Sequence, residues 1–409
     1  MNKILKSFLA AAMLATVSGC QDKAPEEDAS VPEETAETEE TGVADMAIQH
    51  EKEFGGVYIE IGIDDFNRLG FTYGDSVDVR FSNGYVLEDI PYYNGYYVDA
   101  GQPLLIAYPG YEYIKAAVNY GDDLWETANL KQQLGAKTEE KIQGLWLSAK
   151  LEEHDTASIT LREKGKYLDI QEARDIHYYD ERERYDSDVI FANFRAMNLT
   201  GMKENVFYRS ASPCDNQHNR APYVDALIQE AGVKAILNLS DTEAKIDTYI
   251  ARDGFSSPYF ESLYENGTVY PIGLSMNYLS DEFGQKIASG FEKLTQTEGP
   301  YLIHCTEGKD RTGFVCMLVE MLAGAPYEEI ADDYMITYDN YYKINRENEP
   351  EKYKTILEKN LMAMMSFVCG TEPENLPSAD LKGAAEQYLT DHGMPLEVLY
   401  NFLLLIRKD

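Results

Sequence analysis

Cysteine is scarce in this chain of 409 residues, with five in all: Cys20, Cys214, Cys305, Cys316 and Cys369. None stands in a C-x-x-C pair or at a histidine-paired spacing, which excludes a zinc ribbon, a redox dithiol and a disulfide-stapled scaffold. No metal ligand set and no cofactor is expected. His177 and Asp180 lack a third ligand at a suitable spacing and read as surface residues. Positive charge is also short, with 36 Lys and Arg against 71 Asp and Glu, a formal net charge of −35. Such a field excludes a general nucleic-acid or anionic-membrane binder, so an anionic substrate must be held by local basic groups. The N-terminal apolar run, residues 8–17, is too short to cross a bilayer comfortably. What is plentiful is core material: 44% of residues are hydrophobic and 12% aromatic, enough for two domains plus appendages.

Lys3 and Lys6 precede that apolar run, and small residues lead to Cys20, the pattern of an export signal over 1–20. The ending Val-Ser-Gly-Cys resembles the lipobox of bacterial lipoproteins. The resemblance implies cleavage before Cys20, lipidation of its thiol, and a lipid anchor on the extracytoplasmic face of a bacterial membrane. Residues 21–50 are rich in Glu, Thr, Ala and Pro without a hydrophobic period, and read as an acidic disordered tether.

From 51 to 165 short alternating runs, "GVYIEIG", "DSVDVRF", "GYYVDAG" and "PLLIAYPG", are separated by turn signals, which predicts a small β-rich barrel or sandwich. "IDDFNRLGF" is a short helix between strands, and "NLKQQLGAKTEEKIQGLWL" a helical insertion. Residues 166–192, dense in alternating charge, form a linking segment. From 193 to 409 strands and helices alternate: "NVFYRSAS", "APYVDALIQEAG", "VKAILNLSD", "DEFGQKIASGFEKLTQTEG", "PYLIHC" and "RTGFVCMLVEMLAG". That order predicts an α/β sheet flanked by helices. The remaining runs read as a helical cap beside the site.

The stretch "PYLIHCTEGKDRTG" packs a thiol, a lysine, an aspartate and an arginine into one turn between a strand and a helix. Strand, tight loop and helix N-terminus place successive backbone N–H groups around a concavity, an oxyanion nest. Cys305 at its floor is the candidate nucleophile, its thiolate favoured by those dipoles and by Arg311, whose planar fork holds two phosphate oxygens. Thr306, Glu307, Gly308 and Lys309 line the cradle. Gly308 permits a backbone angle that a Cβ would oppose. Thr312 donates its hydroxyl to the sulfur, and His304 braces the loop. Lys309 adds a second cation suited to a polyphosphorylated substrate.

"HCTEGKDRTG" resembles the His-Cys-x5-Arg-Thr signature of the cysteine-dependent protein tyrosine phosphatases, in particular the bacterial branch with a Gly-Lys-Asp-Arg loop. The likeness runs over about Asn193 to Leu404. It implies a tyrosine-phosphatase-like central sheet flanked by helices, preceded here by the β-rich domain, and hydrolysis of phosphate monoesters through a cysteinyl-phosphate. Phosphotyrosine proteins, phosphoinositides and inositol phosphates are the competing substrates. A binding module that captures phosphorylated ligands without turnover is the alternative, and a sulfur transferase fits less well because its loop is usually shorter. Candidates for the acid that protonates the leaving group are Asp310 of the loop, Asp241 and Asp281. Where relatives often carry Asp-Leu-Arg after the buried strand, this chain has Asn238-Leu239-Ser240. Arg209 is read as pairing with loop acids or lining the pocket, Asn219 and Arg220 as within reach of the site, and Cys214 as a potential disulfide partner for Cys305.

Overall fold

A computed structural model of the protein describes residues 41–52, 55–131 and 154–408. The expected signal peptide with Cys20, the tether up to residue 40 and the helical insertion from residue 132 lie outside the described residues. Among the described residues no helix is long and apolar enough to cross a membrane.

Seven strands close into a barrel: β1 (Gly42–His50), β2 (Val57–Gly62), β3 (Ser76–Phe81), β4 (Val86–Tyr93), β5 (Pro103–Ile106), β6 (Tyr113–Val118) and β7 (Thr156–Glu163). Their order around the wall is β1-β2-β6-β5-β4-β3-β7, and full closure leaves no open edge. Alternation decides the interior. Val57 and Ile59, Val77 and Val79, Ile114 and Ala116 point inward with Phe66 of helix α1 (Ile63–Arg68). Lys115, between two of these, takes the opposite face. It is fully buried there against Glu51 at 3.0 Å, with the rings of Tyr111 and Tyr96 at 5.1 and 5.5 Å. Two segments differ from the sequence reading. Residues 42–50, assigned to the tether, form β1, because Ile48 reaches the barrel core. "GYYVDAG" is a loop after β4, its Tyr96 and Tyr97 packing over Tyr93 and Ile106. After a short helix α2 (Leu124–Thr127), helices α3 (Leu168–Arg174) and α4 (Asp188–Phe191) carry the chain onward.

The second half is built on a five-stranded sheet ordered β11-β10-β12-β9-β8. These are β8 (Arg195–Ala196), β9 (Phe207–Ser210), β10 (Ala235–Asn238), β11 (Val269–Pro271) and β12 (Tyr301–His304). All neighbours are parallel except β8 with β9. Alternate residues serve two cores. Phe207, Leu237 and Ile303 face one, made with α8 (Asp281–Leu294), α9 (Asp310–Ala323), α13 (Leu381–Asp391) and α14 (Leu396–Ile406). Tyr208, Ile236 and Leu302 face the other, made with α5 (Ala221–Glu230), α6 (Glu243–Ile250) and α7 (Pro258–Glu265). The register aligns the C-terminal residues Asn238, His304 and Ser210 across three strands. The crevice beyond those ends is where open parallel sheets place their ligands. Helix α9 is buried from Thr312 to Ala323, so it is a central helix whose N-terminus is fixed by packing on all sides. Helix α10 (Tyr327–Tyr342), then α11 (Pro350–Ile356) continuing through a π-helical stretch (Leu357–Met362) into α12 (Ala363–Cys369), flank that N-terminus.

Ile303 is fully buried in the central strand two residues before Cys305. Ile303→Ala is expected to cost about 2–5 kcal/mol, measured as a lowered urea midpoint. An unchanged midpoint contradicts the placement of the core.

Candidate active site

The loop 305–309 leaves the C-terminal end of β12 and enters α9 at Asp310. Its carbonyls are fastened one after another to groups outside it. The Cys305 carbonyl accepts from His304 Nδ1 at 3.1 Å, that of Thr306 from the Ser212 amide at 3.0 Å, and that of Glu307 from the Tyr341 hydroxyl at 2.8 Å. The Gly308 carbonyl accepts from both Asn193 Nδ2 and Arg209 Nη2 at 3.3 Å. Each peptide is planar and trans, so an outward carbonyl sets the next N–H inward. The amides of Thr306, Glu307, Gly308 and Lys309 accordingly turn to the concave side, and among the described residues none of them finds an acceptor. With the first-turn amides of α9 they make an anion nest at the positive end of a helix.

Gly308 is where the loop meets its support. Its φ is +71°, and a Cβ there would sit 2.3 Å from the Ser210 carbonyl oxygen. Both the backbone angle and the space require glycine. The support is itself ionic: Asp333 accepts from Arg195 Nε at 2.8 Å and Arg209 Nη1 at 2.7 Å, and all three are buried or nearly so. Burial alone would raise the Asp333 carboxyl, but the two guanidinium groups hold it well below the usual carboxylate range.

Cys305 is buried. Arg311 projects from the first turn of α9 and donates weakly to the Leu274 carbonyl at 3.3 Å, with Thr306 Oγ1 at 3.5 Å. Its Nε, and the hydroxyl of Thr312, are buried without a partner among the described residues. Two orphaned buried polar groups on the first turn of α9 are a cost unless an anion completes them. The His304 pKa is pushed down to about 4 by burial, so its ring is neutral and its Nδ1–H is committed to the Cys305 carbonyl.

The three candidate acids separate clearly. Asp310 lines the same cleft as Arg311, and burial raises its carboxyl above the ordinary value, with Lys309 opposing only in part. Asp241 is fully buried and already accepts from Asn238 Nδ2 and Ser240 Oγ, both at 3.0 Å. The side chain of Asp281, in the first turn of α8, is 93% exposed, with His392 Nε2 4.0 Å away. Lys309 is also engaged: its Nζ lies 3.1 Å from Glu307 Oε2 and 3.2 Å from the Tyr342 hydroxyl. The Glu307 side chain turns away from the cradle toward Lys309 and the Tyr178 hydroxyl at 3.0 Å. Arg209 pairs with Asp333, not with a loop acid. Arg220 bonds Asp180 and the Phe191 carbonyl, and His177 pairs with Asp175. Cys214 is a free thiol beside Asp241 and Ser212. The described residues hold one His-carboxylate trio, His50, Asp123 and Glu126, on the barrel; there Asp123 is occupied as the cap of α2.

Sequence reasoning missed the fasteners Asn193, Arg195, Ser212, Asp333 and Tyr341, which come from three separate parts of the chain: the segment at 193–195, the turn at 212 and helix α10. It also missed that the barrel reaches the site. The cleft holding Asp310 and Arg311 is narrow, about 30 Å³, and is walled on the other side by Val98, Ala100, Asn119 and Tyr120 of the barrel. The Tyr120 ring lies 5.3 Å from that of Tyr278.

Residues 192–395 match the tyrosine phosphatase family. A tyrosine-protein phosphatase from Nostoc commune is 50% identical over 119 residues, which cover 26% of this chain. The chain spans 40% of that relative's length. The core catalytic domain of a PP-IP phosphatase from S. cerevisiae, solved with citrate, aligns at 20% identity and a TM-score of 0.25, over 40% of this chain and 84% of that one.

Gly308→Ala is expected to abolish binding of vanadate, while Ser366→Ala, remote in sequence, leaves it intact. Isothermal titration reads both, and vanadate binding by the Gly308 variant at native affinity contradicts the nest.

Proposed function

We propose that this chain hydrolyses phosphate monoesters in the manner of a protein-tyrosine phosphatase, with Cys305 as nucleophile. The observation that carries this reading is the nest of inward amides at 306–309, followed directly on the first turn of α9 by Asp310, with its raised carboxyl, and Arg311, which line one cleft. In the first step the Cys305 sulfur anion attacks phosphorus, a P–S bond forms, the ester P–O bond breaks, and Asp310 gives its proton to the departing oxygen. In the second step water attacks phosphorus, its proton passes to the Asp310 carboxylate, and the P–S bond breaks as Thr312 donates to the leaving sulfur. The amides and Arg311 hold the equatorial oxygens throughout, where charge is concentrated in the transition state.

A phenolic ester suits the walls of the cleft, where Tyr120, Tyr278, Phe283, Phe314 and Tyr334 offer aromatic faces beside Asp310. That favours phosphotyrosine. A phosphoinositide or inositol phosphate is the second reading, favoured by Arg174 and Lys359 in the same walls. Capture without turnover would leave the thiol and the raised acid without a role. From the Cys20 motif we also propose that the enzyme works at the extracytoplasmic face of a bacterial membrane, held by acyl chains. Cys20→Ser is then expected to move the protein from the membrane to the soluble fraction, and retention of the variant on membranes speaks against acylation.

Cys305→Ser is expected to abolish hydrolysis of p-nitrophenyl phosphate. Asp310 must be protonated to act, and its pKa is raised, so kcat/KM should fall as pH rises through that elevated value and not through the ordinary carboxylate range. Asp310→Asn should remove this alkaline limb and slow alkyl phosphates by about 10²–10⁴, with a smaller loss for p-nitrophenyl phosphate. A pH profile unchanged by Asp310→Asn assigns the acid elsewhere.

A further inference from the structure

Arg174 ends helix α3, in the segment between barrel and sheet, yet it lines the cleft that holds Asp310 and Arg311. Its Nη2 donates to Asn360 Oδ1 at 2.7 Å, and its guanidinium lies 5.7 Å from the Tyr97 ring centre. Among the described residues no carboxylate pairs with it, in a chain where 71 acids outnumber 36 Lys and Arg. Lys359 stands beside it in the cleft wall. Lys359 and Asn360 both lie on the π-helical stretch Leu357–Met362, an insertion that re-aims side chains and recurs at functional sites. Asn360 is fixed in turn by donating to the Tyr338 hydroxyl at 2.7 Å. The carboxylate facing Lys359 belongs to the barrel: Asp99 Oδ2 at 3.1 Å, with both side chains about half exposed.

We infer that Arg174 and Lys359 form a second anion subsite, which binds a further phosphate or carboxylate carried on the leaving-group side of the substrate. The inference rests on the phosphatase reading and names the substrate class within it: an ester with two anionic groups, the scissile phosphate in the Cys305 cradle and the other between Arg174 and Lys359. Arg174 is held by one neutral amide and keeps donors for a second ligand, which suits bidentate binding of an oxyanion. Asp99 is the group that the incoming anion replaces on Lys359, so the barrel contributes both a wall and a competing charge. Lys309, whose place in the loop suggests this role, is already spent on Glu307. An exposed pair such as Lys359 and Asp99 is weakly held and exchanges readily for a ligand with more charge.

The test uses the full-length chain with Cys305→Ser, so that esters bind without turning over. Phenyl phosphate is compared with hydroquinone and resorcinol bisphosphates by isothermal titration. At least one bisphosphate is expected to bind about tenfold tighter than phenyl phosphate, the scale of one charge-assisted hydrogen bond to a guanidinium. Adding Arg174→Gln should bring that ratio close to one, and Arg174→Lys should restore part of it, which a merely structural role for Arg174 would not do. Asp99→Asn should raise the ratio by freeing Lys359. Equal affinities for mono- and bisphosphates in the parent, or a ratio that Arg174→Gln leaves unchanged, overturns the subsite. Turnover by the native chain is scored separately. If no ester is hydrolysed yet the binding ratio behaves as stated, the hydrolase reading falls and the subsite stands; hydrolysis without the ratio gives the reverse.

Discussion

Everything at the site depends on the loop 305–309 having its carbonyls pulled outward. A tight loop left to itself would satisfy its amides locally, since an unpaired buried N–H is costly. Here five donors, from β12, the 212 turn, Asn193, Arg209 and Tyr341, claim the carbonyls, and planar peptides do the rest. The Gly308 carbonyl is the heaviest anchor because it receives a guanidinium that is itself clamped by Asp333. A buried carboxylate between two guanidinium groups is weak evidence of net stability, since desolvation offsets most of the attraction. Its value is geometric: it fixes Arg209 under the loop so that the nest exists before any ligand arrives. Preorganised donors of this kind are what transition-state stabilisation requires.

The same logic extends outward through the fold. Helix α9 is packed on every side, so the amides at its N-terminus and Arg311 on its first turn cannot drift from β12. The barrel then closes the cleft from the opposite direction, through Tyr120 against Tyr278 and Asp99 against Lys359. The rigid half carries the groups to which the proposed phosphate-ester chemistry is assigned. The softer contacts, half exposed and partly ionic, are where selectivity between esters can reside.

Much of this was legible in the sequence because the chemistry is concentrated in ten consecutive residues. The loop amides, Cys305 and Arg311 follow from a strand, a loop and a helix in fixed order, and the strands and helices around them carry clear periods. The acids were less legible. Asp241 follows a buried strand and Asp281 opens helix α8, and only the fold shows one sealed by hydrogen bonds and the other open to solvent. Lys309 was read as a cation for a second phosphate, and its neighbours in sequence do not reveal that its Nζ also meets Tyr342 thirty-three residues on. Strand β1 was hidden by the acidic run that precedes it, although Val43, Met46 and Ile48 all reach the barrel core. The fasteners and the barrel wall were not legible, because they come from the 193–195 segment, the 212 turn, α10 and the barrel, all distant from the loop in sequence.

The central claim is that the Cys305 sulfur takes phosphorus from an ester inside this nest. Acid quenching of the Asp310→Asn protein during turnover of an aryl phosphate, followed by peptide mass spectrometry, tests it directly. The account predicts one phosphoryl group on the peptide containing Cys305, absent from the Cys305→Ser protein. Steady hydrolysis with that peptide unmodified, or with phosphate carried on another residue, would contradict it.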